Sequence, residues 1–272
     1  MSSIESPWTF STSYLEMYFN EHKLASGSGF FWANAGRMFL VSNWHNFSGL
    51  NPENNHCMSP RGARPNKVRF AMYRKLSRAN CEGYFELKHE FVERELYNQD
   101  EEKALWLEHP NLGQRVDIAA LDVTGADSDY LCLSCNDIER DAVLKPFVSQ
   151  DVFIVGFPLG LIPGNPTPVW KRGTIATEPT YDTNGLPRFF VDSATRQGMS
   201  GSVVVARHII VGNPLLKKDG AETEPFLYAT ADVVVGIYSG RLGAHEIEAQ
   251  LGVVWKRNVI DETVMNGVAP KI

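Results

Sequence analysis

The chain has 272 residues, 43% of them hydrophobic, enough to bury a substantial core as one large domain or two small ones. A formal net charge of −6 argues against a protein that tracks nucleic-acid backbone, and short basic runs such as Arg61 to Lys67 read as solvated loops. No stretch approaches the roughly 20 apolar residues that span a bilayer. The first residues lack the basic and apolar regions of an export signal, so the sequence predicts a cytoplasmic protein with neither a nucleic-acid nor a membrane partner.

Taken in chain order, Tyr14 to Leu24 suits a short helix or a first strand. Short apolar runs follow, bounded by Gly, Pro, Asn and Asp: Gly29 to Trp32, Arg37 to Val41, and Lys67 to Met72. The last of these alternates and should keep one wet face. Glu101 to Glu108 predicts a helical turn in an otherwise charged loop (residues 91–110). The second half adds Asp151 to Val155, Phe189 to Val191, Ser202 to Ala206 and Val233 to Tyr238. The run Val203-Val204-Val205 does not alternate, so it suits a strand covered on both sides. Asn258 to Met265 predicts a terminal helix with Asn258 as N-cap and Asp261-Glu262 in its first turn. Polar and turn residues cluster from Gly125 to Asn136, which divides the chain into an N-terminal β unit, 1–130, and a C-terminal one, 131–272.

Four cysteines stand at Cys57, Cys81, Cys132 and Cys135. Without an export signal, reduced thiols are expected. Structural zinc sites show two close-spaced ligand pairs, and only Cys132 and Cys135 make one, so neither metal nor cofactor is predicted.

Three segments carry chemistry. Arg196-Gln197-Gly198-Met199-Ser200-Gly201-Ser202 presents a serine between glycines just before an apolar strand. The backbone N–H groups of Gly198 and Ser200 could form an oxyanion hole there. Phe39 to His45 is an apolar strand ending in a histidine, and Val116-Asp117-Ile118-Ala119-Ala120-Leu121 is an aspartate opening a strand. Each alone has a structural reading: a turn of small residues, a strand-end histidine, a turn cap. Together they lie in the order His, Asp, Ser, with one group for each role in acyl transfer. Ser200 is the nucleophile, His45 the base that must activate it, and Asp117 the group that orients the imidazole. Asp122, five residues on, should face elsewhere, and His245 has no role in this scheme.

These motifs resemble the trypsin-like serine peptidase superfamily, nearest to the bacterial high-temperature-requirement branch. The counterparts are Ser28-Gly29-Phe30, Ser42-Asn43-Trp44-His45, Asp117-Ile118-Ala119-Ala120-Leu121 and Gly198-Met199-Ser200-Gly201-Ser202. Val155 to Gly160 and Gly173-Thr174-Ile175 lie between the last two. The resemblance runs from about residue 26 to 256. It implies an all-β, chymotrypsin-like pair of six-stranded barrels with a short C-terminal helix, His45 and Asp117 in the first barrel and Ser200 in the second. It also implies that Ser239 supports Asp117, and that Tyr238, Ser239 and Gly240 lie along the substrate. Ala194, Gln197 and Gly252 would join them as substrate-binding positions around an uncharged primary pocket. The expected activity is a serine endopeptidase acting on a peptide or protein.

The chain departs from that pattern in three places. Met199 stands where secreted relatives carry an aspartate that captures a new N-terminus, so either the oxyanion loop is preformed or a partner or oligomer orders it. No Ile-Val-Gly-Gly activation site is present, and no peptide-binding PDZ domain is expected after the last strand. Two other readings stay open on sequence alone: a catalytically idle double barrel that binds a peptide or partner, and a hydrolase acting on another acyl group.

Overall fold

The computed structural model describes residues 6–77, 85–100, 103–125, 130–139, 145–158, 167–210, 229–241 and 251–270. Two β units account for most of it. The first is an eight-stranded antiparallel sheet built from β1 (Thr12–Phe19), β2 (His22–Asn34), β3 (Arg37–Ser42), β4 (Lys67–Ser77), β5 (Phe85–Glu95), β6 (Trp106–Glu108), β7 (Ala119–Asp122) and β8 (Tyr130–Leu131). Its order is β5-β4-β1-β2-β3-β7-β6, with β8 added against β4. The ends of this path meet just beyond β5 and before β6, where Tyr97 bridges Ala104 and the Leu105 N–H donates to the Leu96 carbonyl. The sheet therefore curls round a core that includes Leu15, Phe31, Leu40, Phe70 and Trp106.

The second unit is a closed six-stranded barrel of β9 (Asp151–Gly156), β10 (Val169–Ile175), β11 (Arg188–Asp192), β12 (Val203–Ile210), β13 (Ala229–Arg241) and β14 (Leu251–Lys256), in the order β10-β11-β14-β13-β12-β9. The fold class is the all-β double unit expected. The first unit differs from a plain six-stranded barrel in its two extra strands and in closing through a bridge rather than a full ladder.

Period-two alternation explains how the two units share a seam. On β12, Val204 and Ala206 point into the second barrel while Val203 and Val205 point at the first unit, so both faces are covered, as the unbroken valine run predicts. On β9, Val152 and Ile154 face inward and Val155 faces the seam. That seam cluster also holds Phe30, Phe39, Ile118 and Trp255, so one apolar core spans both units.

Two sequence expectations fail locally. Over the described part of Glu101 to Glu108, residues 103–108, no helical turn forms. Trp106 is 1% exposed, and burying its ring in the first core draws the segment into β6; Glu101 itself lies outside the described residues. The terminal helix, α3 (Arg257–Asn266), starts earlier than expected, and Lys256 rather than Asn258 occupies the cap position. Asn258 instead donates from its side-chain amide to Glu262 within the helix, at 3.0 Å. Tyr14 to Leu24 takes the strand alternative, as β1 and the start of β2. The first unit ends with β8, and a one-turn helix α2 (Cys135–Ile138) precedes the barrel. Among the described residues no helix is long and apolar enough to cross a membrane.

Candidate active site

At the end of β3 the chain turns into a short helix, α1 (Trp44–Ser48). Asn43 stays extended and its amide donates to the Asp117 carbonyl at 2.8 Å, while buried Trp44 donates its indole N–H to Glu108 at 2.9 Å. These anchors set His45 in the first turn of α1. Asp117 lies two residues before β7, and β7 pairs with β3 with Ser42 opposite Ala119. The ladder thus brings together two residues 72 apart in sequence.

The Asp117 carboxylate is 2% exposed and receives three hydrogen bonds. His45 Nδ1 donates to Oδ2 at 2.8 Å, the His45 backbone N–H donates to Oδ1 at 3.0 Å, and the Ser239 hydroxyl donates to Oδ2. Burial alone would raise this carboxyl's pKa. The neighbouring imidazole and the donors from His45 and Ser239 outweigh that and hold it below the ordinary carboxylate value. An ionised Asp117 fixes the proton on Nδ1 and leaves Nε2 as the free base.

Ser200 sits in a tight loop between Gly198 (φ +92°) and Gly201 (φ +88°). The loop is tied to both units. Gly201 N–H donates to the Tyr238 carbonyl at 2.9 Å, and Ser28 N–H donates to the Ser200 carbonyl at 2.9 Å. The Ser28 hydroxyl donates to the Gly198 carbonyl at 2.8 Å and accepts from the Phe157 N–H at 2.9 Å. Ser42 donates to the Ser28 carbonyl, and Asn46 donates to the Ser42 hydroxyl. With its carbonyl turned toward Ser28, the loop leaves the N–H groups of Gly198 and Ser200 without an acceptor among the described residues. Met199, between them, is 1% exposed and packs inside the second barrel with Phe189, Val191 and Val254.

An open cleft of about 510 Å³ between the units is lined by His45, Asp117, Ser200 and Ser239. The Ser200 hydroxyl donates to the Ser239 carbonyl at 3.2 Å rather than to the imidazole. Gly240 lines the same cleft, and Gln197 lines an adjoining groove with His45, Asn46 and Met58. Tyr238 is buried, its ring lies directly under Gly252, where a Cβ would come within 2.4 Å of it, and its hydroxyl bonds the Thr195 hydroxyl. Ala194 is exposed, its side chain on the opposite side of the chain from buried Thr195. Thr195, not Ala194, thus meets the buried Tyr238, because the extended chain alternates here. Residues 242–250, which include His245, lie outside the described residues. Asp122 faces away, paired with Arg37 and Thr124.

Cys135 is fully buried, with burial pushing its thiol pKa up. Cys57 and Cys132 are half-buried, and Cys81 lies outside the described residues. Among the described residues no three His, Cys, Asp or Glu side chains gather as a metal site. The sequence motifs gave no role to Ser28, Ser42, Asn46 or Thr195, or to the cleft arginines considered below. Ser28 lay in a quoted motif, but its partners come from three other segments.

With this geometry in place, sequence comparison supplies the class. The trypsin-like peptidase domain family matches residues 27–212, and the chain belongs to that family. Solved structures with a similar fold include the serine endoprotease from Yersinia pestis, at 13% identity and a TM-score of 0.49, over 97% of this chain and 66% of that one. The Rv3671c protease in its inactive form is similar at 14% identity and a TM-score of 0.45, over 94% of this chain and 88% of that one. The chain thus spans about two thirds of the length of the Yersinia protein. No curated protein matches the sequence.

Proposed function

We propose that the chain is a serine endopeptidase working through His45, Asp117 and Ser200. The observation that carries this reading is a buried carboxylate gripping His45 through Nδ1 inside the cleft that also presents Ser200. A binding module has no need of that arrangement.

In this reading the Ser200 hydroxyl turns from the Ser239 carbonyl toward His45 Nε2 as substrate enters; such contacts commonly tighten only in the complex. Ser200 Oγ attacks the scissile carbonyl and its proton passes to Nε2. The oxyanion accepts hydrogen bonds from the Gly198 and Ser200 N–H groups. Collapse breaks the C–N bond, and His45 returns the proton to the leaving amine. A water, deprotonated by His45, then hydrolyses the Ser200 ester and releases the acid. Asp117 stays ionised throughout and stabilises the imidazolium. The burial of Met199 supports an oxyanion loop held by packing, with no cleavage step required.

The test is covalent labelling by a fluorophosphonate probe, with the adduct located by mass spectrometry. Labelling on Ser200 that vanishes in Ser200→Ala supports the reading, and peptide turnover should fall ~10⁴-fold or more in that variant. Folded protein that does not label overturns it in favour of a double barrel that binds without cleaving.

A further inference from the structure

Several described arginines are committed to carboxylates, among them Arg37 to Asp122, Arg69 to Glu93, Arg172 to Asp151, Arg207 to Asp232 and Arg257 to Glu139. Of the described arginines without a carboxylate partner, three line the cleft beside Ser200: Arg115, Arg188 and Arg241. They come from three places. Arg115 ends the 3-10 turn Gly113–Arg115 just before Asp117, Arg188 opens β11, and Arg241 closes β13 two residues after Ser239. Among the described residues none of their guanidinium groups makes an ion pair or hydrogen bond.

In a chain with 32 acidic and 26 basic residues, such a cluster is not the overflow of a basic surface. Its opposing charge is small. Asp117 is committed to His45, and Glu53, exposed on the cleft rim, acts on Arg188 without closing to a salt bridge. Arg188 is the most confined of the three. Its guanidinium lies over the Trp255 ring at 5.4 Å, its Nε is buried without a partner, and desolvation depresses its pKa. A buried donor left unmatched costs free energy that an incoming acceptor recovers.

We infer that the cleft selects peptides carrying Glu or Asp within a few residues of the scissile bond, on the side lying along Ser239 to Arg241. This names the substrate class of the proposed peptidase and rests on that reading for the cleavage step, though not for binding. Guanidinium forks bind carboxylates in two-point geometry, and unpaired positive charge in an acidic protein steers an anionic segment into the cleft. Selection in these outer subsites is separate from an uncharged primary pocket.

Three synthetic peptides, identical except for Glu, Gln or Lys flanking a central Leu–Ser bond, test the inference by calorimetric binding to Ser200→Ala. The Glu peptide should bind about tenfold more tightly than the Gln peptide, the size expected for one hydrogen bond to a charged group. The Lys peptide should bind most weakly. The Glu advantage should shrink with added salt and fall in Arg188→Gln and Arg241→Gln, each combined with Ser200→Ala. Two variants on different strands guard against one that fails to fold. Equal binding of Glu and Gln peptides, a preference for Lys, or no binding of any peptide overturns the inference. The fluorophosphonate result separates the two claims. Labelling of Ser200 without a Glu preference leaves the peptidase and removes the acidic class. A Glu preference without labelling leaves an acidic-peptide site and removes the peptidase.

Discussion

Asp117 concentrates the electrostatics of the site in one buried group. Its ordinary carboxyl value is about 3.9, and in the folded chain it lies lower, because the imidazole and three donors outweigh the burial that opposes them. A carboxyl depressed on folding contributes stability that is present above its unfolded value and is lost as pH falls through the folded one. The stability difference between the wild type and Asp117→Asn should therefore be constant near neutral pH. It should shrink as pH drops below about 4. Urea midpoints across that range read it directly; a difference that grows on acidification would mean that Asp117 is not held ionised.

The approach of the two units is set at Gly201 and Ser28. A Cβ on Gly201 would sit 2.0 Å from the Ser28 carbonyl oxygen, at a φ of +88° that side chains avoid. Gly201→Ala should therefore cost at least about 1–3 kcal/mol from the backbone conformation alone, measured by urea unfolding. Ser28→Ala is milder in space but removes the donor to the Gly198 carbonyl and the acceptor of the Phe157 N–H. It should slow fluorophosphonate labelling by about tenfold and lower stability by about 1–3 kcal/mol for each buried group left unpaired, because both lie where the oxyanion loop is shaped. Unchanged labelling would show that the loop holds its form without Ser28. The proposed triad residues are legible in sequence because each sits in its own short motif. Ser28's role is not, since its hydrogen-bond partners lie 129 and 170 residues away.

At the scale of elements, strands were easier to read than their edges. Alternation and unbroken valine runs identify β4, β9 and β12 because burial on one face or two leaves different patterns. Trp106 misled because a charged surrounding hid a single ring destined for the core. Asn258 misled because a good capping residue two positions late becomes an ordinary helical one. The arginine cluster was invisible for a related reason: its members end or open three elements that meet only in the closed fold. Met199 belongs to this scale too, as it anchors a loop by burying a side chain inside the barrel formed by β9 to β14. Met199→Ala should cost ~2–5 kcal/mol, as for other buried methionines, and labelling of Ser200 should fall along with it. Met199→Asp would place a carboxylate in the barrel with no cation among its described apolar neighbours and should be worse than Ala. An Asp variant as stable and as reactive as wild type would mean that the loop is not held by this packing.

The whole molecule is braced crosswise. Trp8, ahead of the first strand, donates its indole N–H to Asp232 of the second barrel at 2.8 Å. Helix α3, after the last strand, returns to the first unit. Glu262 accepts from His109 at 2.8 Å, Val268 bridges Glu108, and Val259, Ile260 and Val264 enter the seam cluster with residues of both units. With one apolar core crossing the seam, neither unit can lose it without uncovering the other, so the two should unfold together in a single transition. Ile260, fully buried at that junction, offers the sharpest probe. Ile260→Ala should lower stability by ~2–5 kcal/mol and shift the tryptophan-fluorescence and far-ultraviolet dichroism transitions by the same amount. A shift confined to one of two resolved transitions would mean that the units are energetically separate. The cleft would then owe its geometry to the hydrogen bonds around Ser28 and Ser200 rather than to the shared core. Coincident transitions would instead make α3 a distant support of the His45–Ser200 alignment, although it touches neither residue.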